Sequence, residues 1–134
     1  MTSKVTYTGD LRTHCVHERS GNEFITDAPP DNQGLGQAFS PTDTVATAVA
    51  SCMLTVMGIK AGALGADLRN TTAEVTKYMA ADPRRISKVS VRLLLPAAIP
   101  EKERRILENT ARHCPVILSL NDSIEKELEF NWVL

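Results

Sequence analysis

Apolar and polar positions along the chain fall into segments that predict the order β-β-β-α-β-β-α-β. Lys4 to Thr8 and Leu11 to Glu18 are rich in Val, Thr and Tyr and flank Gly9-Asp10, the pattern of a hairpin with a tight turn. A second turn at Ser20-Gly21-Asn22 leads into a short strand over Glu23 to Thr26. Asp27 to Gln37, with two prolines and two glycines beside Asp31 and Asn32, is expected to be the main flexible surface loop.

The next segment has the clearest helix start in the sequence. Ser40 stands as N-cap, Pro41 at the first helical position, and Asp43 where a capping box needs an acceptor. From Pro41 to Gly62 the helix has 22 residues, about 33 Å. Val45, Val49, Met53, Leu54, Val56, Met57 and Ile59 leave no wide polar face, so cover is expected on nearly every side. One thin sheet in a small monomer hardly supplies that. A homodimer that sandwiches such helices is therefore expected, with Ala46, Ala50 and Ser51 small enough for close approach.

Gly62 and Gly65 supply left-handed positions to end the helix, and Asn70 to Met79 then reads as a strand. After a turn at Asp82-Pro83, Val89, Val91, Leu93 and Leu95 alternate with Ser90 and Arg92, a half-buried strand in a hairpin with the previous one. Pro100, Glu101 and Glu103 open a second helix whose apolar positions Ile106, Leu107 and Ala111 lead on one face to Cys114. Pro115 disfavours helix at the preceding residue, so the chain bends at Cys114 and restarts over Pro115 to Leu120. Leu128, Phe130, Trp132 and Leu134 then alternate with polar residues as a last strand. Hairpins with helices gathered on one face define an α+β fold.

The 134 residues suit one domain, 1–134. Fifteen Lys and Arg against sixteen Asp and Glu leave a net charge of -1, which offers no basic field for nucleic acid. The longest uncharged apolar stretch, Thr44 to Ile59, has 16 residues where a membrane span needs ~20, which favours a core helix. The N-terminus has no charged head followed by an apolar run, so the cytoplasm is the expected address. Three cysteines in a reducing compartment do not form a disulfide framework; they are structural, metal-binding or redox-reactive.

Cys52, mid-helix and far from the N-terminal dipole, reads on its own as core filler, since burial raises a thiol pKa. Cys114 reads as the more reactive, at a helix break, beside His113 and at the entry to a helix whose free amides favour a thiolate. Each is expected to point into the same core, where they could meet as a thiol and its resolving partner, a pairing that the sequence spacing does not itself show. Strand alternation puts His14 on one face and Cys15 with His17 on the other, too few ligands for a zinc site, so all three are assigned to the strand surface. Gln33-Gly34-Leu35-Gly36 lacks the lysine and spacing of a phosphate loop. Arg84, Arg85 and Lys88 read as a solvated cluster.

Taken together, the run Phe39-Ser40-Pro41-Thr42-Asp43 entering an alanine-rich helix, Ala50-Ser51-Cys52-Met53 with its cysteine eleven residues after the proline, and His113-Cys114-Pro115-Val116 resemble the OsmC/Ohr family over nearly the whole chain. The resemblance implies an α+β fold in an intertwined homodimer. It further implies sites at the interface, thiol-dependent peroxidase activity toward organic hydroperoxides, and no metal or organic cofactor. By position, Cys52 becomes the peroxidatic thiol and Cys114 the resolving one, the reverse of the order the isolated residues suggest. A disulfide between them would be reopened by a dithiol, small or carried as a protein-borne lipoyl group.

The family supports its thiolate with an arginine held by a glutamate. Here the position after the proline is Thr42, and Asp43 lies about 100° further round the helix. Arg12, just after the Gly9-Asp10 turn, is the preferred arginine over Arg19. Cys52, Cys114, Arg12 and Asp43 are thus the expected site residues. The alternative reading is a family member that kept the dimer and the thiols but acts as a redox sensor or binds an apolar ligand.

Overall fold

The computed structural model describes all 134 residues. They divide into two compact units, Met1–Val45 and Ala46–Leu134. The long helix α1 (Pro41–Leu64) runs through the division.

In the first unit, β1 (Ser3–Gly9), β2 (Arg12–His17) and β3 (Glu23–Asp27) form an antiparallel sheet in that order. The first turn centres on Asp10 (φ 54°) and Leu11 (φ 60°), one residue later than expected. Positive φ at both central positions gives the twist a two-residue hairpin needs. The segment after β3 is better ordered than its composition suggested. A short 3-10 turn spans Pro30–Asn32, and the loop folds back so that the Gly34 and Gly36 amides donate to Pro29 and Ala28 carbonyls. A Cβ on Gly34 would stand 1.7 Å from the Ala28 oxygen, so only glycine fits there.

The unit buries little apolar surface. Its buried side chains are Cys15, Thr26, Asp27 and Ser40, while Val5, Tyr7, Phe24, Leu35 and Phe39 are each more than half exposed.

Helix α1 begins as the sequence predicts. The Ser40 amide donates to Asp43 Oδ2 (2.9 Å) and the Asp43 amide to Ser40 Oγ (3.0 Å), a reciprocal capping box. Its end lies two residues past the expected Gly62. Gly65, at φ 71°, donates to Gly62 O (3.3 Å) and Ala66 to Ala61 O (2.9 Å), the paired bonds of a Schellman motif.

The second unit holds the core. β4 (Thr72–Ala80) and β5 (Arg85–Leu95) form an antiparallel hairpin, and β6 (Glu125–Trp132) lies parallel to β5 on its other side. The parallel pairing follows from the crossover through α2 (Glu101–Arg112) and the short α3 (Pro115–Ser119). Val89, Val91, Leu93 and Leu95 are fully buried on one face of β5 and meet Val49, Met53 and Met57 of α1 and Leu107 and Ala111 of α2. The opposite face is polar, with Lys88 and Arg92 of β5 paired to Glu127, Glu74 and Glu129. Lys88 is thus engaged, also lying 4.3 Å over the Tyr78 ring, rather than part of a solvated cluster.

Cover on nearly every side of α1 is not found within the chain. The helix buries one stripe, Ala46, Val49, Ala50, Met53, Met57 and Ala61, and leaves Ser51, Thr55, Gly58, Ile59 and Gly62 exposed. Ala46 and Ala50 therefore face the sheet, and only Ser51 of the three small residues expected at a helix contact is on the open side. By length and composition the 24-residue helix would also suit a membrane, so the expectation from the 16-residue stretch was too short. Its sheet-packed stripe makes it the core helix.

Candidate active site

Within the second unit the two helix-borne cysteines come together. Cys52 is half-buried on α1 against the core, and Cys114 is fully buried between α2 and α3. Their thiols are neighbours, close enough that Cys52 perturbs the ionisation of Cys114. Cys114 has extended backbone (φ -64°, ψ 147°) and is the N-cap of α3, its Sγ accepting the Ile117 amide at 3.4 Å. The bend that Pro115 imposes produces this geometry.

Burial pushes the Cys114 thiol up from its ordinary value. The Ile117 and Val116 amides pull the other way, and the neighbouring Cys52 thiol adds to the rise. The expectation that helix-entry amides would make Cys114 the readier thiolate is therefore corrected: desolvation outweighs the dipole of a five-residue helix. His113 donates its Nδ1–H to the Asn109 carbonyl at 2.8 Å, which fixes the ring against its own helix.

Within the first unit a second cluster forms around Arg12. Residues 12 and 27 face each other in the β2–β3 register. Arg12 Nε donates to Asp27 Oδ1 at 2.7 Å and Nη2 to Asp27 Oδ2 at 2.9 Å. Nη2 also donates to Gln37 Oε1 (3.2 Å), while the Gln37 amide donates to Asp27 Oδ2 (3.1 Å). The Asp27 carboxylate is 3% exposed and the Arg12 side chain 34%. Hydrogen bonding from Arg12 holds the Asp27 carboxyl below the usual carboxylate range against the opposing effect of burial.

Sequence reasoning missed Asp27 and Gln37. The signal lay in the hairpin, since a strand ending at Asp27 opposite one starting at Arg12 brings the two together. Asp43 is engaged in the capping box, and Thr42 Oγ1 lies 3.2 Å from Ser40 Oγ. Arg19 is exposed in the turn after β2.

The remaining candidates are structural. His14 Nε2 pairs with Glu23 (2.8 Å) and His17 Nδ1 with Ser20 Oγ (2.6 Å). Cys15 is buried rather than on the strand surface, 3.7 Å from the Thr13 hydroxyl. No group of three His, Cys, Asp or Glu side chains is placed to hold a metal ion.

An α+β chain with a thiol on its long helix, beside a second thiol at the break before a Cys-Pro-initiated helix, defines a class of two-cysteine domains. The family model described as OsmC-like protein matches residues 34–129, and the chain belongs to that family. No curated protein matches the sequence. Among solved structures, the chain is similar to one from Psychrobacter arcticus described as an osmotic stress induced and detoxification response protein. The identity is 53% and the TM-score 0.94, over 98% of this chain and 96% of that one. It shares its fold with an organic hydroperoxide resistance protein OsmC of Legionella pneumophila at 16% identity and TM-score 0.77, over 98% and 97% of the chains. The organic hydroperoxide resistance protein OhrB of Bacillus subtilis gives 19% identity and TM-score 0.72, over 98% of each chain.

Proposed function

We propose that the protein is a thiol-dependent peroxidase that reduces organic hydroperoxides with two cysteines. The Cys52 thiolate attacks the distal oxygen of ROOH. The O–O bond breaks, ROH leaves after taking a proton, and Cys52 becomes a sulfenic acid. The Cys114 thiol then attacks the Cys52 sulfur and releases water as the disulfide forms. A dithiol, small or protein-borne as a lipoyl group, reopens it by exchange and is itself oxidised to its disulfide. Arg12 is the cation assigned to the thiolate, and Asp43 fixes the start of the helix that carries Cys52.

The observation that carries this reading is the adjacency of the half-buried Cys52 thiol and the buried Cys114 thiol in one core. Burial keeps Cys114 protonated, which suits the second step rather than the first. Apolar side chains flanking Cys52, among them Met53 and Val56, favour an alkyl hydroperoxide over hydrogen peroxide. Family membership and the hydroperoxide resistance proteins of the same fold support the same reading. The working form is a cytoplasmic homodimer with neither nucleic acid nor membrane as partner.

The test is one equivalent of an alkyl hydroperoxide added to the reduced protein, followed by alkylation and mass mapping against a hydrogen peroxide control. A rapid Cys52–Cys114 disulfide, formed faster with the alkyl peroxide, is expected. Cys52→Ser abolishes turnover, and Cys114→Ser leaves a single round of oxidation. Two thiols that stay alkylatable over minutes overturn the reading.

A further inference from the structure

One atom of Cys114 has two tasks. Its Sγ is the thiol beside Cys52, and the same Sγ accepts the Ile117 amide at 3.4 Å as the N-cap of α3. A disulfide sets its sulfurs at bonding distance, well inside the contact distance of two thiols, so at least one of them must move when the bond forms. What holds each sulfur decides which one yields.

Cys52 is carried by a 24-residue helix, and Val49 and Met53 on that helix are fully buried in the core. Close packing along that stripe resists a shift of the α1 backbone. Cys114 stands at a bend, and α3 beyond it has five residues, none of them fully buried. A helix of that length does not persist by its own hydrogen bonds. It rests on the cap, on the Leu118 amide bond to the Cys114 carbonyl (3.1 Å) and on the partly buried Val116 and Ile117, while Leu118 is 68% exposed. Cys114 Sγ is therefore the sulfur that yields. Drawn to Cys52 it leaves the line of the Ile117 N–H, and sulfur is a weak acceptor even in good geometry.

We propose that α3 is a redox-sensitive element, capped while Cys114 is a free thiol and released when Cys114 is joined to Cys52. The proposal rests on the disulfide of the peroxidase reading and gives its two states different structures. The cap exists only in the dithiol form, so it favours that form and disposes the disulfide to give way to an external dithiol. Release of α3 also loosens the cover over a sulfur that is wholly buried in the reduced protein.

The experiment is hydrogen–deuterium exchange of the full-length protein, read by mass spectrometry on peptides spanning residues 115–124, with α1 and α2 peptides as references. The disulfide is formed in two ways: with an alkyl hydroperoxide, and with diamide, which takes two electrons and two protons from the thiols. Alkylation and mass mapping establish that Cys52 and Cys114 are joined. Exchange at the Ile117 and Leu118 amides is expected to be about fivefold faster in the disulfide form than in the reduced one, as loss of an N-cap implies. Cys114→Ser, given the same oxidants, keeps slow exchange because serine caps and forms no disulfide. Cys52→Ser keeps it as well, since Cys114 then has no sulfur to move toward.

Unchanged or slower exchange over residues 115–124 in the mapped disulfide form overturns the proposal. So does a rise shared equally by α1 and α2, or an equal rise in oxidant-treated Cys114→Ser. If the hydroperoxide forms the disulfide and exchange stays the same, the switch fails and the peroxidase reading stands. If only diamide forms it and exchange rises, the peroxidase reading fails and the switch stands. No disulfide with either oxidant overturns both.

Discussion

Cys52 and Cys114 are neighbours in a core in which Cys114 has no solvent exposure and Cys52 is only half covered. Accessibility and charge therefore act together to set which thiol an external reagent meets first. Burial raises the Cys114 pKa, so at neutral pH it stays a thiol, and no reagent reaches it without an opening of the fold. Timed alkylation of the native, reduced protein should label Cys52 first, with Cys114 at least tenfold slower and Cys114 catching up only after unfolding in urea. Equal labelling of the two in the native state contradicts the arrangement.

The second role of Cys114 is mechanical. Its sulfur caps α3 by accepting the Ile117 amide, with the extended backbone an N-cap requires. Serine caps at least as well, so Cys114→Ser should unfold within about 1 kcal/mol of the wild type under reducing conditions. Cys114→Ala loses the acceptor and opens a small void, and is expected to cost about 1 to 2 kcal/mol. Urea titration of the three proteins measures the difference. The result separates loss of chemistry from loss of structure when Cys114 is removed.

Acid should act on the first unit through Asp27. Its carboxyl is held low by hydrogen bonds from Arg12, so the unfolded chain takes up the proton at a higher pH than the folded one. The ionised pair stabilises the fold fully above the unfolded carboxylate value near ~3.9, and that contribution is lost as pH falls through the lower folded value. Thermal midpoints of the wild type and Asp27→Asn, followed from pH 7 to pH 2, should differ most in the neutral range and converge below about pH 4. A constant gap across that range would show that the pair is not the titrating element.

Local signals were the ones legible in the sequence. Ser40, Pro41 and Asp43 place the start of α1 because a capping box is written within four residues, and Pro115 places the break at Cys114 for the same reason. The alternation of β5 and β6 carries their buried faces. What depended on distant partners was not legible. An almost wholly apolar helix has no polar side to orient it, so nothing in α1 told which stripe faces the sheet, and Ala46 and Ala50 proved to lie inward. The Arg12–Asp27 clamp needed the β2–β3 register, and the burial of Cys15 needed what covers that strand. The meeting of Cys52 and Cys114 was raised as an option by their shared inward direction, but only the fold makes them neighbours.

The open side of α1 leads to the last expectation. Ser51, Thr55, Gly58 and Gly62 form a shallow strip, and the Thr55 hydroxyl is already satisfied by the Ser51 carbonyl at 2.8 Å. Beside it a hollow of about 370 Å³ is lined by Leu54, Gly58, Ala61, Gly62, Leu68 and Thr71, and the Thr71 hydroxyl buried there has no partner within the chain. Nothing within 4 Å would obstruct a Cβ on Gly58 or Gly62. In a lone chain, alanine at either position should then gain up to about 1 kcal/mol, because glycine is a poor helix former. A second copy packed closely against this strip gives glycine a reason to be there. Sedimentation should accordingly show a dimer, Thr55→Arg should yield monomers, and Gly58→Ala should fail to raise the midpoint of unfolding. A Gly58→Ala protein several degrees more stable than the wild type, with unchanged mass in solution, would mean that this face of α1 is free and that any dimer forms elsewhere.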